Sequence, residues 1–321
     1  MSLAFALVLI LGGIVLLAGG GELLVRGAAS LARLARVTPA VIGLTIVAMG
    51  TSLPELVVSV VAGLRGQPDL ALGNVVGSNI FNVGVIIGVA ALVLPLVVHG
   101  NAVRLEWPFM FVASCVALLL ARDGVVDRLE GGFFVIALVL FTLFVVRLAR
   151  TQMRAEEALE LEQEVVALAL TGRLRGAVVD LGLIGIGMGL LVAGAQLLVE
   201  GAVSVAEHAG VSQRVIGLTI VAAGTSLPEL ATSLVAALRR HADIALANVI
   251  GSNIFNVLGI LGVAALVRPL TVAPGLVQSD LWWMLGFSLV LYPMMLRGMR
   301  ISRVEGGILL AGYAIYLARL L

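Results

Sequence analysis

GLTIVAMGTSLPEL occupies Gly43 to Leu56, and GLTIVAAGTSLPEL, different at one position in fourteen, occupies Gly217 to Leu230. Each copy lies inside an apolar run. Each nonetheless carries a glutamate (Glu55, Glu229), two hydroxyls (Thr51 and Ser52, Thr225 and Ser226) and a proline (Pro54, Pro228). An ionisable side chain in the middle of a hydrocarbon span costs about 2.5–3.5 kcal/mol on insertion scales. A cost met twice, in nearly the same words, marks a site rather than an accident of packing.

The composition around these stretches is that of a polytopic membrane protein. Of 321 residues, 61% are hydrophobic and only 12% charged, against about one quarter charged in soluble domains; the mean hydropathy is +1.15. The net charge of +1 and the lack of any basic stripe interleaved with aromatics leave no footprint for a nucleic-acid partner. There is no Walker-type loop or other nucleotide motif. All 20 basic residues are arginine, and a single cysteine, Cys115, rules out an internal disulfide. The N-terminal MSLAFALVLILGGIVLLAGGG lacks a basic leader and reads as a first transmembrane helix rather than a cleaved signal.

Ten apolar segments approach the roughly 20 residues needed to cross a bilayer. They fall at about 3–25, 39–64, 70–96, 105–121, 130–149, 177–199, 213–238, 244–267, 279–296 and 304–320. Between the fifth and sixth lies a polar stretch, Arg147 to Arg175, in which Glu156, Glu157, Glu160, Glu162 and Glu164 suggest a solvated surface helix. The halves repeat at an offset of 174, from Glu22/Gln196 through to Val83/Val257, including GSNIFNV at 77–83 and 251–257. The match returns one residue out of step at Glu130-Gly-Gly and Glu305-Gly-Gly. Five segments per half, an odd number, force the second half into the membrane upside down. The expected organisation is an all-α membrane protein: a first five-helix repeat over 1–150, a linker over 151–174, and a second, inverted repeat over 175–321. With the N-terminus outside, fourteen arginines fall on the cytoplasmic side and six outside. The positive-inside bias therefore predicts a multi-pass cell-membrane protein with its linker in the cytoplasm.

Pro54 has no amide hydrogen and clashes with the carbonyl of Gly50, so the helix should break there. A break in mid-membrane frees backbone carbonyls near Ala48 and Met49, and in the second copy near Ala222 and Ala223. Thr51 and Glu55 share a helix face, with Ser52 beside them. The following helix adds Asn74, Ser78 and Asn82 at i, i+4 and i+8, and its copy adds Asn248, Ser252 and Asn256. Carboxylates, hydroxyls, amide oxygens and carbonyls, with no His or Cys nearby, suit hard cations such as sodium or calcium. Two formal negative charges balance one Ca²⁺ or two Na⁺. Blander roles suit other positions. Asn74 and Asn79 can serve as interhelical glue, Gly84, Gly88, Gly185 and Gly189 as packing positions, Glu22 as an interfacial residue near a helix end, and Trp107, Trp282 and Trp283 as interface anchors.

GTSLPEL followed by GNVVGSNIFN, in two inverted copies spanning the chain, resembles the calcium/cation antiporter superfamily and within it the prokaryotic sodium/calcium exchangers. The resemblance implies ten helices, a central four-helix site and alternating access. By position it implies ion ligands at Thr51, Ser52, Glu55, Ser78 and Asn82, at Thr225, Ser226, Glu229, Ser252 and Asn256, and at the carbonyls of Ala48 and Ala222. Ca²⁺ and Na⁺ would bind as substrates, with no cofactor and no enzymatic chemistry. Some relatives, and the potassium-dependent branch, carry an aspartate where this chain has Asn256. The proton-coupled branch carries a glutamate shortly after GN in the third helix, where this chain has valines and a glycine. Both departures favour sodium as the counter-ion; a proton- or potassium-coupled divalent-cation antiporter is the alternative. An intramembrane hydrolase would need a Ser/His, HExxH or paired-Asp arrangement, and His99, His208 and His241 all fall at loops or helix ends. A cation channel would be expected to surround one pore with symmetric subunits rather than to fuse two inverted halves.

The inversion makes a direct prediction. In a Cys115→Ala background, Arg65→Cys and Arg240→Cys proteins react with a membrane-impermeant thiol reagent from opposite sides of the membrane. Labelling of both from one side refutes the inverted repeat.

Overall fold

The computed structural model describes residues 2–35, 37–152, 170–209 and 222–320. The acidic stretch Glu156 to Glu164 and residues 217–221 of the second signature fall outside them. The described helices are α1 (Leu3–Ala35), α2 (Pro39–Thr51), α3 (Leu53–Leu64), α4 (Pro68–Val93), α5 (Ala102–Asp123), α6 (Arg128–Gln152) and α7 (Leu170–His208). Past the short turn Ala222–Gly224 follow α8 (Leu227–Leu238), α9 (Ala242–Val267), α10 (Leu281–Leu296) and α11 (Arg303–Leu320). Among the described residues, six helices are long and apolar enough to cross a membrane, and the bent pair α2/α3 makes a seventh span.

α1 runs ten residues past its expected end at 25, because RGAASLARLA holds no proline and its glycine, Gly27, is packed against α7. It stops where Pro39 forces the preceding Thr38 into extended backbone, φ −68° and ψ 150°. Glu22, expected near a helix end, therefore lies within the helix. It pairs there with Arg26 and, at 2.7 Å, with Arg239 beyond the end of α8.

Burial sorts centre from periphery. The spans of α4 and α9 are 72% and 83% buried, those of α1, α6 and α7 only 22%. The outer helices turn Leu11, Val15, Leu140 and Leu143 outward, as a lipid-facing surface requires. Trp107, expected at an interface, is instead buried. It stacks on Tyr292 and donates its indole N–H to the Ser288 carbonyl at 2.7 Å.

The repeated Glu-Gly-Gly has two jobs. Asp127 and Glu130 exchange backbone hydrogen bonds at 2.8 and 2.9 Å, a capping box that starts α6. Ser302 and Glu305 do the same for α11. The glycine after each glutamate then lets helix backbones touch: a Cβ on Gly131 would lie 2.7 Å from the Gly262 carbonyl oxygen, and one on Gly306 2.7 Å from that of Gly88. So α6 of the first half packs on α9 of the second, and α11 on α4. Two short antiparallel ribbons cross-link the halves in the same sense, Leu96–Val97 with Arg300–Ile301 and Val125–Val126 with Leu270–Thr271.

α1 and α7 lie together along most of their length. Small residues allow the approach, as in other membrane helix pairs. A Cβ on Gly20 would meet the Gly187 carbonyl at 2.8 Å, whereas one on neighbouring Gly19 would meet nothing within 4 Å. Gly20→Val is expected to destabilise the protein by about 1–3 kcal/mol through overpacking, and Gly19→Val to stay within about 0.5 kcal/mol of the parent. Thermal unfolding in detergent measures both; equal effects would contradict the close contact.

Candidate functional site

Each signature bends at its serine. Ser52 has φ −84° and ψ 10°, Ser226 φ −90° and ψ 8°, and α2 and α3 meet at 45°. The expected break is there, and its cause is the proline. Pro54 and Pro228 sit in the first turn of the helices that follow, where a missing amide hydrogen costs nothing. The carbonyl of Ala48, expected to be free, accepts the Ser52 N–H at 3.1 Å and the Thr51 hydroxyl at 3.3 Å. In the second copy the Ser226 N–H reaches the Ala223 carbonyl, at 3.2 Å.

The bends bring the two copies face to face. Glu55 and Glu229 are both 1% exposed. The Ser52 hydroxyl donates to Glu229 Oε1 at 2.7 Å, and the Ser226 hydroxyl donates to Glu55 Oε1 at 2.9 Å. The bonds are crossed, each half holding the other's carboxylate. Thr51 faces Glu229 and Thr225 faces Glu55 in the same crossed sense. Among the described residues the ion pairs are those of Glu22, and none of the described arginines pairs with either carboxylate.

α4 and α9 supply the rest. Ser252, Asn82 and Asn256 are buried, and Ser78 borders a cavity of about 370 Å³ together with Asp69, Asn74, Thr225, Asp280 and Tyr316. A second cavity, of about 590 Å³, reaches Thr225 past Val57, Gln196 and Glu200. Five buried oxygens in this set have no hydrogen-bond partner among the described residues: Glu55 Oε2, Glu229 Oε2, Asn82 Oδ1, Asn256 Oδ1 and Ser252 Oγ. Leaving one buried polar atom unsatisfied costs about 1–3 kcal/mol, more for a charged one. Five acceptors and two uncompensated charges have the donor chemistry of a hard-cation site.

Asn74 and Asn248, part of the expected polar stripe, are engaged at the edge of this set, Asn74 on the first cavity and Asn248 Oδ1 accepting the Thr51 hydroxyl at 3.5 Å. Asn74 Nδ2 bonds the Glu55 carbonyl at 3.1 Å and the Ser59 hydroxyl at 2.9 Å; Asn248 Nδ2 bonds the Ser233 hydroxyl at 3.0 Å. They tie the third helix of each half to the second. Sequence reasoning missed Ser59, Ser233 and Asn253, although all three lie in the matched repeats. The signal was a polar residue at the same offset in both copies, off the carboxylate's face.

Membrane-length helices packed around a buried acidic centre define a multi-pass membrane protein. Residues 5–147 and 179–321 match the sodium/calcium exchanger protein family, and the chain belongs to it. It is 38% identical to the inner membrane protein YrbG of Escherichia coli (strain K12) over 90% of this chain and 89% of that protein. It is 34% identical to the sodium/calcium exchanger MaX1 of Methanosarcina acetivorans, over 90% of each. Among solved structures, the sodium-calcium exchanger NCX_Mj soaked with zero Na⁺ and Ca²⁺ superposes with a TM-score of 0.84 at 31% identity, covering 100% of both chains.

Proposed function

We propose that this protein is a secondary antiporter that exchanges Ca²⁺ for Na⁺ by alternating access, with the substrate ions held between Glu55 and Glu229. The observation that carries the proposal is the set of five unpartnered buried oxygens around the crossed serine–glutamate pairs. The ligand set is Thr51, Ser52, Glu55, Ser78, Asn82, Thr225, Ser226, Glu229, Ser252 and Asn256 with the carbonyl of Ala222 and that of Ala48, the ion taking the place of its 3.3 Å bond from the Thr51 hydroxyl. The frame is ten helices in two inverted repeats, 1–150 and 175–321, joined by the cytoplasmic linker 151–174, with the N-terminus outside. Reciprocal packing of α6 on α9 and α11 on α4, the paired ribbons and the crossed hydrogen bonds support that two-fold arrangement. The family's exchangers, MaX1 and NCX_Mj, are named for these two ions.

Charge decides the coupling. Asn82 and Asn256 are neutral, so the site holds two negative charges, filled by one Ca²⁺ or two Na⁺. Any further sodium sits on hydroxyls and carbonyls and makes the cycle electrogenic. Potassium is not required, because nothing at Asn256 adds the charge for it. Both cavities reach Thr225, and the first is lined by Asp69, in the first turn of α4 next to the loop that carries Arg65. On the proposed topology that loop is outside, and the conformation is outward-facing. Ca²⁺ leaves the cell as Na⁺ enters, with no cofactor and no ATP.

In proteoliposomes, Ca²⁺ uptake is expected when sodium is loaded inside, equally with and without potassium, and to respond to membrane voltage set by an ionophore. An absolute need for potassium or a proton gradient overturns the coupling. Glu55→Gln and Glu229→Gln each leave a dehydrated Ca²⁺ short of a charge. Losing one partner of a buried charge pair costs about 3–5 kcal/mol, roughly 100-fold or more in affinity. Folded protein of either variant that still transports at the parent rate removes the carboxylates from the site.

A further inference from the structure

Asn79 and Asn253 are 1% and 2% exposed. The Asn79 amide nitrogen lies 3.5 Å from the Asn253 carbonyl, and the Asn253 amide nitrogen 3.4 Å from the Asn79 carbonyl. A backbone carbonyl only accepts, so each side chain must turn its NH₂ to that side. Its oxygen then points the other way. There Asn256 Nδ2 donates to Asn79 Oδ1, and Asn82 Nδ2 donates to Asn253 Oδ1, both at 3.0 Å. With their nitrogens engaged, Asn256 and Asn82 keep Oδ1 buried and without a partner among the described residues.

We propose that Asn79 and Asn253 are positioning residues that set the polarity of the Asn256 and Asn82 amides, so that each presents oxygen rather than NH₂ to the transported cation. An asparagine amide is nearly symmetric in shape, and nothing steric prevents a flip that would aim two N–H dipoles at the ion. The polarity is anchored on two main-chain carbonyls, which cannot reverse their role. It is also set across the repeats: Asn79 in the first half orients Asn256 in the second, and Asn253 in the second orients Asn82 in the first. The four asparagines thus carry the same crossed dependence as the serine–glutamate pairs, one layer away from the charges. All of this presupposes that the carboxylate pair holds cations, as proposed above.

A double-mutant cycle in proteoliposomes tests it, reading half-saturating Na⁺ separately from maximal rate. Partners that only orient a metal ligand typically matter by about 10–100-fold in affinity. Asn79→Leu is expected to raise half-saturating Na⁺ about 10-fold, with little loss of maximal rate. In an Asn256→Ala background the same substitution adds nothing, whereas in an Asn82→Ala background it keeps its full effect. An equal shift in both backgrounds makes Asn79 interhelical packing and overturns the proposal. Asn256→Ala without any change in cation dependence instead shows that Asn256 is not a ligand, which fails the site assignment and the positioning role with it. The mirror cycle, Asn253→Leu with Asn82→Ala, asks the same question with Asn79 intact, so poor folding of one variant leaves the test in place.

Discussion

Two carboxylates, each 1% exposed and with no cationic side chain beside them among the described residues, are the constraint to which the rest of this molecule answers. Each is held by hydroxyls from the opposite half, Ser52 on Glu229 and Ser226 on Glu55. Hydroxyl donors stabilise a carboxylate without neutralising it. The charge stays available for the cations proposed to bind there, which an arginine in the same place would displace. The uncompensated charge is a cost to stability, and the surrounding helices have to be packed well enough to carry it.

That packing is glycine-led. Gly88 against Gly306, Gly131 against Gly262 and Gly20 against Gly187 let backbones touch. Contact at that distance replaces the hydrophobic drive that lipid removes. The result is a sharp division between α4 and α9, which are enclosed on nearly all sides, and α1 and α7, which turn most of their surface outward. The α1/α7 pair meets the core in part through the exposed ion pair between Glu22 and Arg239. Such contacts are worth little, about 0–1 kcal/mol. A peripheral pair around an enclosed centre is the kind of element that the proposed alternating access can move.

Neutral asparagines shape the site as much as the glutamates do. By keeping the formal charge at two they limit what the site can balance. Through Asn79 and Asn253 they bind the first half's geometry to the second's. Neither half contains a complete set of contacts for its own carboxylate or its own amide.

Much of this was legible in the chain itself. The duplicated GTSLPEL and GSNIFNV, with their charges in apolar surroundings, marked the residues of the buried centre. The prolines marked the bends, because a missing amide hydrogen has a local consequence whatever surrounds it. Other features had no local signal. Which partner each asparagine meets depends on helix rotation and packing: Asn74 bonds Ser59 within its own half, whereas Asn82 bonds Asn253 of the other. The length of α1, which took Glu22 away from a helix end, turned on residues too polar to count as membrane-spanning. Trp107 went to the core because Ser288 and Tyr292 were there to receive it. Periodicity and composition determine which residues share a helix face. Only the tertiary structure decides what that face meets, because the crossed bonds from Ser52 to Glu229 and from Ser226 to Glu55 join residues more than 170 positions apart.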